Sequence, residues 1–387
     1  MSPGLAEEKN VVEITISEFK DYFRYYYNAD IPVNLIGFYG IGKSSIIKQA
    51  CEDIAKRNNK KLVVLNKLSY EDKIKLLNVP EEKLKKAFVL MILNASHITK
   101  DNLYYLTITK EGNVKITLNI DFEILKKFGR NSVIFIDELS HADEEVQKIL
   151  FSFILDRRLL SEYIGSYVVC AMNLSDYSLL AREIDYGVYS RMANFILEFN
   201  VDDFLKYAID HKFDKRLIAF LSANRANVDR IVISPEELES KSFIAFHCPR
   251  TYEFLDRLIK SYESLSGKKI DAQTLRTLAS SVIGFAAASQ LVVFLEKIAK
   301  YNIKDIVTHP ESFKNLEEDI KYYVIMYVVD NINQLGVNTV KEFFNEIAKY
   351  NEEFIQYAII YAKTSGKLIE IKQAIPHEVF KKLMKYL

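Results

Sequence analysis

The sequence predicts an α/β fold, a parallel sheet with helices on both faces, followed by two helical stretches. Three observations carry this. Short apolar runs alternate with helix-patterned segments through the first half of the chain, which is how a sheet covered on both faces reads. Three of the twelve glycines fall within six residues, Gly37 to Gly42, between a predicted strand and a predicted helix. Beyond about Asn200 the strand pattern fades and helical periodicity takes over.

The elements follow in order. "SEFKDYFRYYY" has helical spacing, with Ser17 in the N-cap position. "PVNLIGF" is a buried strand that runs into the glycine turn, and "SSIIKQACEDIAKRN" continues as a helix. "KKLVVLNK", "SVIFIDE" (Ser132 to Glu138) and "SYVVCAMN" (Ser166 to Asn173) are further strands. "LYYLTITKEGNVKITLNI", Leu103 to Ile120, breaks the alternation: two β-rich runs flank Glu111-Gly112-Asn113, a hairpin signature. Lying between core strands, it is expected to project from the sheet as an insertion. After Asn200, "DDFLKYAIDH", "DKRLIAFLSANRA", "PRTYEFLDRLIKSYESL" and "DAQTLRTLASSVIGFAAASQLVVFLEKIAK" read as helices. From Asn302 to Leu387 the pattern is again helical, most clearly in "VNTVKEFFNEIAKY".

Composition narrows the function. The 387 residues suffice for two or three packed units. Fifty-two basic residues balance 52 acidic ones, so bulk charge gives no reason to expect a nucleic-acid partner. Cys51, Cys170 and Cys248 are far apart, without zinc or disulfide spacing. The first residues have no apolar signal region, and runs such as "YYVIMYVV" (Tyr322 to Val329) are far short of a membrane span. A soluble, cytoplasmic protein without a membrane partner is the expectation.

The glycine turn carries the first chemistry. Gly37-Phe38-Tyr39-Gly40-Ile41-Gly42-Lys43-Ser44 fits G-x-x-x-x-G-K-[ST], between strand and helix as that pattern requires. Glycines let successive N–H groups of the turn, from Gly37 through Gly40, Ile41 and Gly42 to Ser45, point at phosphate oxygens. The helix start adds its dipole. Lys43 would reach the β- and γ-phosphates of ATP, and Ser44 would ligate Mg²⁺. Gly40 is not demanded by the minimal pattern. "SVIFIDELS" ends a strand on Asp137 and Glu138. Asp137 would hold the Mg²⁺ shell, and Glu138 would orient and deprotonate the attacking water. Asn173, ending the next strand, could help hold that water. In "REIDYGVYSRMANFILEF", Arg182 and Arg191 are both candidates for an arginine finger, a role usually supplied by a neighbouring subunit. In "HCPRTYEFLDRL", Pro249 starts a helix and Arg250 sits in its first turn, against the dipole, as a cation placed to meet phosphate would.

Together, "GFYGIGKSS", "VIFIDELSHADEEVQKILFSFILDRRL", "VVCAMN", "YSRM" and "CPRTYEF" resemble MoxR-type AAA+ ATPases, over about Ile31 to Lys297. That resemblance implies a P-loop αβα core over residues 1–200, an α-helical lid over 201–301, and a ring, commonly a hexamer, with ATP bound between subunits. Residues 302–387 would be an α-helical C-terminal extension that the family pattern does not include. The resemblance makes Lys43 and Ser44 Walker A, Asp137 and Glu138 Walker B, Asn173 sensor 1 and Arg250 sensor 2. Arg191 matches the finger position better than Arg182. The hairpin at 103–120 looks like the helix-2 insertion that tends to line the ring's pore, and Ser140 to Glu145 would carry the other axial loop. Family members often act as remodelling chaperones, with partners that bear a von Willebrand factor A domain. The expected function is ATP hydrolysis that remodels a partner protein. A nucleotide-switched signalling scaffold and a DNA-directed motor or replication initiator are the alternatives.

Overall fold

In chain order the strands are β1 (Val12–Ile14), β2 (Val33–Gly37), β3 (Lys61–Val64), β4 (Ala87–Asn94), β5 (Tyr104–Ile108), β6 (Val114–Leu118), β7 (Ser132–Asp137), β8 (Arg158–Leu159), β9 (Glu162–Tyr163), β10 (Tyr167–Asn173) and β11 (Ala193–Leu197). The structure is a computed structural model that describes residues 12–173, 186–225, 245 and 247–383. It divides into two compact units between Phe199 and Asn200.

In the first unit seven strands form one sheet in the order β1-β11-β2-β10-β7-β4-β3, and every neighbouring pair in it is parallel. Both faces are covered. Helices α1 (Ile16–Ala29), α2 (Lys43–Arg57), α3 (Tyr70–Leu77), α4 (Ile120–Phe128) and α5 (Glu144–Asp156) belong to this unit. On one face Phe122 and Leu125 of α4 and Leu150 and Phe153 of α5 cluster with Val89, Ile134, Ile136 and Cys170 of the sheet. On the other, Phe23 of α1 meets Tyr167 edge-on, and Tyr27 packs on Phe88 and Tyr167. Because successive strand residues face opposite ways, burial on both faces requires near-continuous apolar strands, as in fully buried Val133 to Ile136.

Two details differ from the sequence expectation. Helix α1 is capped by Thr15 instead of Ser17: the Thr15 hydroxyl accepts from Glu18 N, and the Glu18 carboxylate accepts from Thr15 N. This reciprocal box satisfies two orphan groups at once. Strands β1, β4 and β11 complete a sheet of which the sequence reading named four members. Strand β4, "AFVLMILN", follows a helix-like lysine-rich stretch, and a short apolar run of this kind does not reveal its own period.

The hairpin forms a separate antiparallel two-stranded sheet, with Tyr104 opposite Leu118 and Ile108 opposite Val114. Its tip turns through Thr109 to Asn113, with Gly112 at φ +82°. Leu103 and Leu118 anchor the base in the core, while Leu106, Ile108 and Val114 are exposed along one face.

The second unit is helical in its described residues. Its main helices are α6 (Val201–Asp210), α7 (Lys215–Ala223), α8 (Pro249–Ser266), α9 (Ala272–Ile283), α10 (Phe285–Ile298), α11 (Glu318–Asp330), α12 (Val337–Tyr350) and α13 (Glu352–Ser365). Gly284, at φ +81°, breaks the long run into α9 and α10, and a Cβ there would sit 2.9 Å from Ala245 O. Helix α7 packs against α11, and α11 against α13. The stretches expected as lid (201–301) and extension (302–387) therefore share one packed core. Among the described residues no helix is long and apolar enough to cross a membrane.

Candidate active site

Strand β2 delivers the glycine turn to the carboxyl edge of the sheet, where each glycine has its own reason. A Cβ on Gly37 would lie 2.7 Å from Ile41 Cδ1 and 3.2 Å from Leu197 O. Gly40 has φ +73° and Gly42 φ +103°, conformations that L side chains resist. Gly42 is the N-cap of α2 and offers no side-chain cap. A helix start without a side-chain cap leaves its first-turn N–H groups to other acceptors, a role that an anion can fill. Ile41 is buried and anchors the turn; Ser45 is exposed.

Lys43 is 8% exposed. Its Nζ donates to Gly37 O (2.8 Å), Phe38 O (2.9 Å) and Asn173 Oδ1 (2.9 Å). Asn173 ends β10 in register with Gly37, so sheet pairing brings together residues 130 apart in sequence. On the other side, Ser44 Oγ donates to Asp137 Oδ2 at 2.6 Å. Burial pushes the Asp137 carboxyl above its ordinary range; the Ser44 hydrogen bond and the Lys43 charge oppose this, and the Glu138 charge adds to it.

Glu138 has a left-handed backbone, φ 57° and ψ 38°. Its Oε2 accepts from Ser96 Oγ (2.8 Å), which also lies 2.6 Å from Asn94 Oδ1. A serine has one hydroxyl proton, so the two acceptors compete for it. Asn94 ends β4 in register with Asp137. The sequence reading missed Asn94 and Ser96, because β4 was not read as a strand; recognising it would have put Asn94 beside Asp137.

The structure thus brings Lys43, Ser44, Asp137, Glu138 and Asn173 together, with Ser96 behind Glu138. Arg191 is exposed in the turn before β11. Arg182 lies outside the described residues. Arg250 belongs to the second unit, exposed in the first turn of α8, which starts at Pro249. An ammonium group, an uncapped helix start and a carboxylate pair at one sheet edge can hold a polyphosphate and a hard cation. The hydroxyl and carboxylate oxygens of Ser44 and Asp137 are a donor pair suited to Mg²⁺.

Residues 32–217 match the family model for the AAA domain of the dynein-related subfamily. The first unit has the P-loop AAA+ fold. The P-loop, the acidic end of β7 and every strand of the sheet except β1 fall within the matched span. Among solved structures, a RuvB variant from Thermotoga maritima is 12% identical, with 86% of this chain and 85% of that chain covered and a TM-score of 0.35. NtrX from Brucella abortus is 12% identical, with 94% of this chain and 69% of that chain covered and a TM-score of 0.35. Likenesses at that level carry no argument about what this chain acts on. No curated protein matches the sequence.

Proposed function

We propose that this AAA+ protein hydrolyses ATP at subunit interfaces of a cytoplasmic ring, commonly six subunits, and uses the cycle to remodel a partner protein in the manner of the MoxR group. The observation that carries hydrolysis is the convergence of Lys43, Ser44, Asp137, Glu138 and Asn173 on one end of β2, β7 and β10. Lys43 exchanges its carbonyl partners for the β- and γ-phosphates, and the first-turn amides of α2 take the remaining phosphate oxygens. Mg²⁺, held through Ser44 and Asp137, supplies charge neutralisation on the phosphates. Glu138 takes a proton from water as its oxygen attacks the γ-phosphorus and the bond to the β-phosphate oxygen breaks, and Asn173 orients that water. Arg191 of the adjacent subunit meets the charge on the transferring group, and Arg250 couples nucleotide state to the helical lid.

Action on a polypeptide is supported by the hairpin. Leu106 and Val114 are each more than 60% exposed and Ile108 is 78% exposed on one face, a surface suited to apolar side chains and poorly suited to phosphate. A von Willebrand factor A domain protein is the proposed partner class, on the motif resemblance alone.

Electron microscopy with and without ATP, combined with turnover assays, tests this reading. Rings that form with ATP, turnover lost in Lys43→Ala, and partial recovery when Lys43→Ala and Arg191→Ala proteins are mixed are the expected results. Absence of a ring with tightly retained ADP would favour the signalling scaffold. Turnover stimulated by DNA with a steep salt dependence would favour the DNA motor.

A further inference from the structure

Arg191 sits in a turn held in place by a pair of asparagines, one half-buried and one fully buried. One helical turn, Tyr186–Tyr189, precedes it, and β11 follows from Ala193. Arg191 N donates to Val188 O (3.1 Å) and Met192 N to Tyr189 O (3.3 Å). Val188 and Met192 are buried, while Arg191 is exposed. Asn194 closes the turn: its Nδ2 donates to Tyr189 O (2.7 Å) and Met192 O (2.9 Å), the carbonyls that flank Ser190-Arg191. An amide nitrogen carries two protons, so both are used. Asn194 Oδ1 in turn accepts from Asn34 Nδ2 at 3.1 Å.

Asn34 is fully buried on β2, in register with Asn194 of β11. It is a poor residue for stability there. Among the described residues its Oδ1 has no hydrogen-bond partner, and its Nδ2 also lies 3.7 Å from Met172 Sδ. An apolar β-branched residue would fit a central strand better. A locally unfavourable choice that points at a functional segment is the pattern a positioning role leaves. Strand β2 also leads directly into Gly37, so the pair ties the arginine turn to the strand that carries the phosphate cradle.

We propose that Asn34 and Asn194 are positioning residues for Arg191. They fix the 189–192 turn so that the guanidinium is presented in one orientation to a phosphate on the neighbouring subunit, a proposal that rests on Arg191 being the finger. The donors are essential to it. Aspartate at position 194 keeps the shape but turns a carboxylate, without protons, toward two carbonyl oxygens.

The test uses the full chain with Asn194→Asp and Asn34→Val, each in wild-type and Arg191→Ala backgrounds. The expected result in the wild-type background is a kcat lower by about 10- to 100-fold, with KM for ATP within about twofold. Asn34→Val should melt close to the wild-type temperature, since the unpaired Asn34 oxygen it removes offsets the Asn194 oxygen it leaves without its donor. In the Arg191→Ala background neither variant should lower kcat further, because the group they position is gone. Equal falls in both backgrounds, or an unchanged kcat in the wild-type background, would overturn the proposal. Should Arg191→Ala itself leave kcat untouched, the finger reading fails separately, and hydrogen exchange at the Arg191 and Met192 amides then decides. Faster exchange in both variants supports the clamp, and unchanged exchange refutes it.

Discussion

Glu138 holds a left-handed backbone, φ 57°, at the site proposed for water activation. For an L-residue this conformation costs about 1–2 kcal/mol, a strain of the kind that persists at functional sites. Comparing Glu138→Ala with Glu138→Gly isolates it, since both remove the carboxylate. Neither orphans Ser96, whose hydroxyl retains Asn94 Oδ1 at 2.6 Å. Glycine relieves the strain and gives back about 0.4–1 kcal/mol as extra chain entropy in the unfolded state. The glycine variant should therefore be more stable than the alanine variant by about 1 kcal/mol, or about 2–4 °C in the melting of a unit this size. Glu138→Gln provides the functional arm. Its amide oxygen can still accept from Ser96, so fold and ATP binding should persist while hydrolysis falls by about 10²–10⁴-fold. Thermal unfolding and single-turnover hydrolysis read the two arms. An alanine variant as stable as the glycine variant would refute the strain argument, and near-normal hydrolysis by Glu138→Gln would remove the base assignment.

Three further outcomes follow from the geometry. Gly40→Ala forces a side chain onto φ +73° and should weaken ATP binding by about tenfold, at about 1.4 kcal/mol, as read by calorimetric titration. Because burial raises the Asp137 carboxyl, it takes up a proton at higher pH than an ordinary aspartate; Mg²⁺-dependent nucleotide binding should decline on acidification earlier than a normal carboxylate would allow, and Asp137→Asn should lack that acid limb. In the second unit, Arg216 bonds Asp214 through Nε (2.9 Å) and Nη2 (2.8 Å) and Glu263 through Nη2 (2.7 Å). Burial acts to raise both acids, but hydrogen bonds from Arg216 at Asp214, and from Lys269 and Arg216 at Glu263, leave both lowered. Their stabilisation is therefore complete above the unfolded values, near pH 4, and is lost as pH falls through the folded values. Arg216→Met should destabilise this unit by about 2–3 kcal/mol at neutral pH, somewhat below the cost of breaking a fully buried pair, and denaturant unfolding should show the gap closing below about pH 4.

What was legible beforehand was local. The phosphate turn reads directly because its chemistry lies in contiguous backbone: Gly37, Gly40 and Gly42 shape a loop whose own N–H groups do the binding. Four strands and the hairpin read for the same reason, since apolar runs and a glycine turn advertise themselves within a few residues. The three missed strands are short or have no visible period, and what makes them strands is the neighbour each one pairs with. The N-cap of α1 was displaced by two residues because Thr15 and Glu18, three residues apart, cap each other reciprocally.

By itself the sequence determined the parts, the order in which they occur and the class of chemistry they can serve. Which side chains meet was decided only by the tertiary structure. Parallel pairing of β2, β10, β7 and β4 carries Asn173 to Lys43, Asp137 to Ser44 and Ser96 to Glu138. The pairing of β11 with β2 does the same for Asn194 and Asn34. These contacts span tens to more than a hundred residues, and no local pattern encodes them. They arise because burying both faces of one sheet sets the strand register, and the register then leaves these side chains at one shared edge.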